Sequence, residues 1–188
     1  MDAERLRQMG RPRGLPFRIT KLGHIALYVK DLERSTRFYT EVLGFRISDV
    51  YDDNEMVGGA VFLRCNTDHH GIALFPARAA PEAGCGLHHV AFEVATLDEV
   101  LRVREHLRHH EVPIDFEGRR RAGVQLVVEF RDPDGHRLEV YWGIDQIGSD
   151  ERARPAEEWK GVSGLERAIA DPVKGQDTSL ADKSLARV

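Results

Sequence analysis

The chain has 188 residues, 41% of them hydrophobic and 31% charged, with a formal net charge of -4 and a pI near 6.1. That length can bury a core without disulfide staples, and the mildly acidic balance excludes a general nucleic-acid binder, whose footprint is a basic domain. Cys65 and Cys85 stand in no CxxC or zinc spacing, no apolar run approaches the ~20 residues of a membrane span, and the N-terminus lacks the apolar core of a secretory signal, so a cytoplasmic protein without membrane contact is expected.

Residues 1–20 are Arg-rich and aperiodic, and read as a flexible N-terminal arm. GHIALYV then predicts a strand with Ile25, Leu27 and Val29 on one face. Asp31 offers an N-cap to DLERSTRFYTEVLG, whose apolar stripe includes Leu32, Phe38, Tyr39, Val42 and Leu43, with Gly44 at its C′ position. FRISDVY, GGAVFLRC and HGIALF follow as three strand-like runs, completing a βαβββ module over residues 21–76. PARAAPEAGCG reads as a linker. The pattern then restarts over residues 87–145: the strand HHVAFEV, the capping box Thr96-x-x-Glu99, and a helix to about His110. The strands VPIDF, GVQLVVEF and HRLEVYW complete it, the last two joined by a DPDG turn. Residues 146–188 form a polar tail in which SGLERAIA is a short helix candidate; it reads as a surface strap, with a cover over the cup mouth as the functional alternative.

The restart can be counted. His24-Ile-Ala-Leu-x-Val-x-x-Leu32-Glu33 matches His89-Val-Ala-Phe-x-Val-x-x-Leu97-Asp98 at an offset of 65. A repeat that occurs twice, with sheet and helix in each half, predicts an α+β fold of two paired modules whose sheets meet face to face around a cup. Strand alternation then sorts the polar residues. His24, Ala26 and Tyr28 oppose the apolar set of the first strand; His89, Ala91 and Glu93 oppose Val90, Phe92 and Val94; Arg137, Glu139 and Tyr141 oppose Leu138, Val140 and Trp142. His88 falls on the apolar side of its strand by this count. His106, His109 and His110 lie at a helix end, and His136 in a turn, where solvated roles are expected. Two imidazoles and a carboxylate converging on one cavity form a facial triad. Such a triad leaves cis positions open and suits Fe(II), Mn(II) or another divalent metal with a chelating substrate and O2.

The stretches GHIALYVKDLERSTRFYTEVLGF, LHHVAFEV and DPDGHRLEVYWG resemble the vicinal oxygen chelate superfamily, which includes glyoxalase I, extradiol catechol dioxygenases, epimerases and bleomycin-binding proteins. The resemblance spans residues 21–145 and implies a mixed, largely antiparallel metal cup with ligands at His24, His89 and Glu139. The position of the glyoxalase fourth ligand is Ala73, which cannot bind a metal. FLRCNTDHHGIAL resembles the extradiol segment that carries an active-site histidine, which implies that His70 is the acid/base or oxygen-stabilising residue. The usual extradiol His and Tyr before the DP turn are replaced by Arg120 and Glu129. The reading implied is a metal-dependent, extradiol-type dioxygenase acting on a catechol-like vicinal diol. Tyr28, Glu93, Arg120, Glu129 and Tyr141 would shape its substrate cavity, and a homodimer would be the usual assembly. The alternatives are another metalloenzyme of the superfamily or a non-enzymatic small-molecule binder.

Overall fold

A computed structural model of the chain describes residue 5 and residues 14–42, 44–77, 86–131, 135–150 and 152–187. Most of the N-terminal arm, residues 78–85 of the linker and residues 132–134 of the turn lie outside them. The strands are β1 (Ile19–Val29), β2 (Arg46–Tyr51), β3 (Ala60–Arg64), β4 (Ile72–Pro76), β5 (Gly86–Val94), β6 (Ile114–Arg119), β7 (Leu126–Arg131), β8 (Arg137–Trp142) and β9 (Val162–Ser163). The α-helices whose bounds are described are α1 (Leu32–Arg37), α2 (Leu97–His109) and α3 (Leu165–Ala170).

The first two of these helices start where the sequence chemistry places them. Asp31 accepts from the Arg34 amide at 2.9 Å, and α2 carries both halves of the Thr96–Glu99 capping box. Past Arg37 the first helix widens into a π-helical turn over Phe38–Val42. It ends at Gly44, whose φ of +74° is the left-handed conformation that glycine adopts without a Cβ penalty. Ser163 belongs to β9 rather than to α3, and the cap position of that helix is Gly164.

Within the modules, β1 pairs with β4 and β5 with β8 in parallel, while the other neighbours within each module are antiparallel. The expected face-to-face sheets are instead one sheet, in the order β2-β3-β4-β1-β5-β8-β7-β6-β9. The halves meet edge to edge through the antiparallel β1–β5 pair. This satisfies the backbone groups that two free module edges would have left open. On one face, Val100, Leu101 and Val103 of α2 pack with Val94, Leu126, Val128 and Val140. The other face curves around the candidate site and its cavity.

The β1–β5 ladder is irregular at three points, two of which matter for the site. Leu22 pairs with Phe92 and His24 with Ala91, so Gly23 is an extra residue on β1. A Cβ at Gly23 would collide with the Tyr141 hydroxyl, so the bulge also requires the missing side chain. Ala26 pairs with His89 and Leu27 with Leu87, so His88 is an extra residue on β5.

The tail is a strap fastened to both halves. β9 adds to the outer edge of β6. Leu165, Ala168 and Leu180 enter the core beneath α2. The buried Arg119 guanidinium donates to the carbonyls of Lys160 (3.3 Å), Asp171 (2.7 Å) and Ala168. The Asp98 carboxylate accepts from the amides of Ala181 and Asp182, both at 3.1 Å. In the other direction Trp159 lies on Tyr51 of β2, with ring centroids 4.0 Å apart. At the other end of the chain, Phe17 packs edge-on against His106, and the Arg18 amide donates to Glu99, so the chain just before β1 is docked on α2.

Candidate metal centre and its cavity

Three neighbouring strands supply the candidate ligands. Register places His24 of β1 beside Ala91 of β5, and Ala91 beside Glu139 of β8. His89 stands two residues before Ala91 on the same face. Ala26 and Ala91, both fully buried, leave the volume into which the larger side chains lean. The His24 and His89 Nε2 atoms are 2.8 Å apart. Glu139 Oε1 is 3.8 Å from the first and Oε2 is 3.9 Å from the second. Taking one ligand atom from each residue, all three lie within 4.8 Å of one another.

The electrostatics favour a cation here. Burial pushes His24 down to about 3 and His89 down to about 2, with neighbouring imidazoles adding to each shift, so both rings are neutral and offer lone pairs. Burial, followed by the nearby Glu129 charge, raises Glu139 to about 8. A carboxylate driven toward its neutral form beside two neutral imidazoles lacks a positive partner, which a divalent ion would supply. The donors are nitrogen and oxygen, the set that suits Fe, Mn and Zn. The residues therefore fit a metal.

The surrounding residues orient this core. His88 Nδ1 lies 2.7 Å from His89 Nδ1; with His89 Nε2 turned to a metal, the Nδ1–H of His89 would donate to His88. Gln125 reaches Glu139 Oε1 at 3.5 Å. The buried His70 ring packs 4.3 Å, centroid to centroid, from His24. Its Nδ1 lies 3.0 Å from His69 Nδ1, and His69 Nε2 lies 3.6 Å from Asp49. Burial and the neighbouring imidazoles hold His70 well below the usual histidine range.

The centre opens into a cavity of about 440 Å³. Module 1 contributes an apolar wall of Met56, Phe62, Ala73 and Phe75, whereas module 2 contributes Phe116 and several arginines. Arg120 lies over the Phe116 ring, 3.7 Å from its centroid, and pairs with Glu129 at 2.5 Å. Gly161, Val162 and Ser163 of the tail complete the rim, so the strap is also part of the cover.

Of the residues singled out from sequence, His24, His70, His89, Arg120, Glu129 and Glu139 line this cavity. Three do not. Tyr28 lies against the far side of His88. Glu93 pairs with Lys21 at 2.9 Å. Tyr141 is fully buried over Gly23. All three project from the expected face, but the site occupies only part of that face. The assignment of His88 to the opposite face is corrected: the bulge at this residue breaks the alternation and turns its ring into the cavity wall. Gln125, Phe62 and Phe75 carry no spacing signal in the sequence, and Arg137 is marked only by sharing the face of Glu139.

Paired βαβββ modules around a two-histidine, one-carboxylate cluster define a vicinal-oxygen-chelate type of metal cup. The sequence profile described as "Glyoxalase/Bleomycin resistance protein/Dioxygenase superfamily" matches residues 21–140, and the chain belongs to that superfamily. It is 33% identical over 144 residues to the metapyrocatechase of Pseudomonas sp. strain CF600, covering 75% of this chain and 45% of that protein. It is 42% identical over 82 residues to the biphenyl-2,3-diol 1,2-dioxygenase of Paraburkholderia xenovorans LB400, covering 42% of this chain and 26% of that one. Among solved structures, the Mn(II)-bound glyoxalase from Novosphingobium aromaticivorans superposes with a TM-score of 0.63 at 29% identity, over 75% of this chain and 44% of that one. The 2,3-dioxygenase LapB from Pseudomonas sp. KL28 superposes with a TM-score of 0.63 at 27% identity, over 73% and 46%. The chain thus spans less than half the length of these relatives. Among the described residues, no helix is long and apolar enough to cross a membrane.

Proposed function

We propose that the chain carries the active site of a metal-dependent, extradiol-type dioxygenase. In this reading His24, His89 and Glu139 hold one Fe(II) or Mn(II) ion, and the substrate is a catechol-like vicinal diol cleaved with O2. The observation that carries it is the convergence of three buried or partly buried N and O donors in the wall of a cavity that aromatic side chains also line. Metapyrocatechase and LapB, both named dioxygenases, support the reaction type.

When bound, the metal would acidify a chelated diol and bring it together with O2. The chain does the rest. His24 and His89 present neutral Nε2 lone pairs, and His88 holds His89 in the tautomer that allows this. Glu139 supplies the balancing negative charge. His70, neutral and buried at the cavity wall with its Nδ1 engaged by His69, is placed to hold or transfer a proton at Nε2. Phe62 and Phe75 face the volume an aromatic ring would occupy and exclude water from it. Glu129 and Arg120 neutralise each other there, in place of the histidine and tyrosine usual in extradiol enzymes. The glyoxalase-like alternative is disfavoured by Ala73, which sits in the cavity wall and offers no fourth ligand.

The test is elemental analysis of anaerobically purified protein beside Glu139→Ala, followed by oxygen uptake with a set of catechols. About one iron or manganese per chain, lost in the variant, with catechol-dependent uptake in the parent, is expected. Metal without uptake on any catechol would move the chain to another branch of the superfamily.

A further inference from the structure

The cavity wall contributed by module 2 is cationic, and its four arginines are not equivalent. Arg119 is committed to the backbone carbonyls of the tail. Arg120 is tied to Glu129. Arg121 lies over Trp159 and reaches the Glu55 carbonyl. Arg137 lines the same cavity, is partly buried, and has no hydrogen-bond or ion-pair partner among the described residues. A partly buried guanidinium without a counter-charge is costly, and an anion in the cavity would offset that cost.

Its position tells what the anion belongs to. Arg137 precedes Glu139 by two residues on β8 and projects from the same face. Along a strand two residues advance roughly 6.6 Å, so the root of the Arg137 side chain stands about one aromatic ring's length from that of Glu139. The rest of the wall near it is flat and unsaturated: His88 stacks on Phe75 at 4.9 Å and 25°. Arg137 and His88 line the same cavity. A ligand that fills this space has a ring against this stacked aromatic surface and a negative group at the end away from the centre.

We propose that Arg137 is a specificity-determining residue, and that the substrate is a vicinal diol whose aromatic ring carries an anionic substituent, such as a carboxylate, which pairs with it. This rests on the reading of the centre as a diol-binding metal site. Arg120 cannot serve in the same way without giving up Glu129, and the neutral rings of Phe62 and Phe75 offer the anion nothing.

The experiment measures anaerobic binding to the metal-loaded full chain by calorimetry. The probes are 3,4-dihydroxyphenylacetate and 3-(2,3-dihydroxyphenyl)propionate, each beside its neutral methyl ester. A charge-assisted pair of this kind contributes ~1.5–3 kcal/mol, so at least one acid should bind roughly 10- to 100-fold more tightly than its ester. In Arg137→Gln that ratio should fall toward one, and in Arg137→Lys much of it should return, with metal content unchanged in both. Acids and esters binding equally well to the parent would overturn the role of Arg137 while leaving the diol site standing. A ratio that persists in Arg137→Gln would overturn it as well. Failure of every diol, charged or neutral, to bind metal-loaded protein would remove the diol reading itself, and this proposal with it.

Discussion

His88 shows how one backbone irregularity decides the chemistry of a residue. Because it is the extra residue of a bulge, it shares a side of the sheet with His89, and the Nδ1 atoms of the two rings are hydrogen-bonded at 2.7 Å. Outer partners of metal-binding histidines typically contribute 10- to 100-fold to metal affinity. His88→Leu is therefore expected to weaken metal binding by that factor in a chelator competition assay while leaving the fold intact. Unchanged affinity would show that His89 needs no orienting partner. Alternation from the sequence selected His24, His89 and Glu139 because the runs from His24 to Val29, from His89 to Val94 and from Arg137 to Trp142 each contain no extra residue. It misplaced His88 because period-2 counting holds only while the ladder has no extra residue, and nothing in LHHVAFEV announces one.

Among the elements, the tail was the least legible and turned out to be structural on two fronts. Its sequence has little periodicity because it is held by single contacts rather than by a long stripe. The most consequential is Arg119, whose buried guanidinium serves carbonyls on both sides of α3. Arg119→Met orphans those carbonyls, at a cost of about 1–3 kcal/mol each where they stay buried. The variant should unfold at lower denaturant and be cut by protease between residues 150 and 180 before the sheet is. If proteolysis of the tail keeps pace with that of the sheet, the strap does not depend on Arg119. By contrast, the helix α2 was legible to its capping box, since Thr96 and Glu99 are adjacent in sequence and need no tertiary partner. The first helix was predicted throughout as α-helix, and the π-helical widening after Arg37 gave no sequence sign.

At the scale of the molecule, four neutral histidines, buried or partly buried, and one buried carboxylate set opposing dependences on pH in the metal-free protein. His24, His70, His88 and His89 are all lowered from 6.5. As pH falls below 6.5, the unfolded chain takes up protons that the folded chain refuses, so stability declines toward pH 4. Glu139 is raised from 4.5 to about 8. Its contribution is complete below 4.5 and is lost as pH rises through 8. Stability should therefore peak between these limbs, near neutrality. Denaturation from pH 4 to 9 in the presence of a chelator should show both limbs, with the alkaline one absent in Glu139→Gln. An alkaline limb of equal size in the variant would mean that another group causes it. Saturating divalent metal should abolish the same limb, because the ion takes the place of the proton on Glu139. The modular architecture was readable in the 65-residue repeat, but the seam between modules was not, because β1–β5 pairing depends on register rather than on any pattern within either strand.

The bulge on β5 also bears on how the chain can change in length. Removing one residue from a paired strand ordinarily turns every side chain beyond the cut to the opposite face. At position 88 the ladder already skips a residue, pairing Ala26 with His89 and Leu27 with Leu87. A chain lacking His88 could keep both pairings and gain an unbroken alternation, with His89 inward and the exposed Leu87 outward. The deletion should fold and be detectable as a stable, soluble protein, whereas deletion of Ala91 should not. This makes position 88 a point where insertion or loss of a single codon could add or remove an imidazole at the rim of the centre without recasting the sheet.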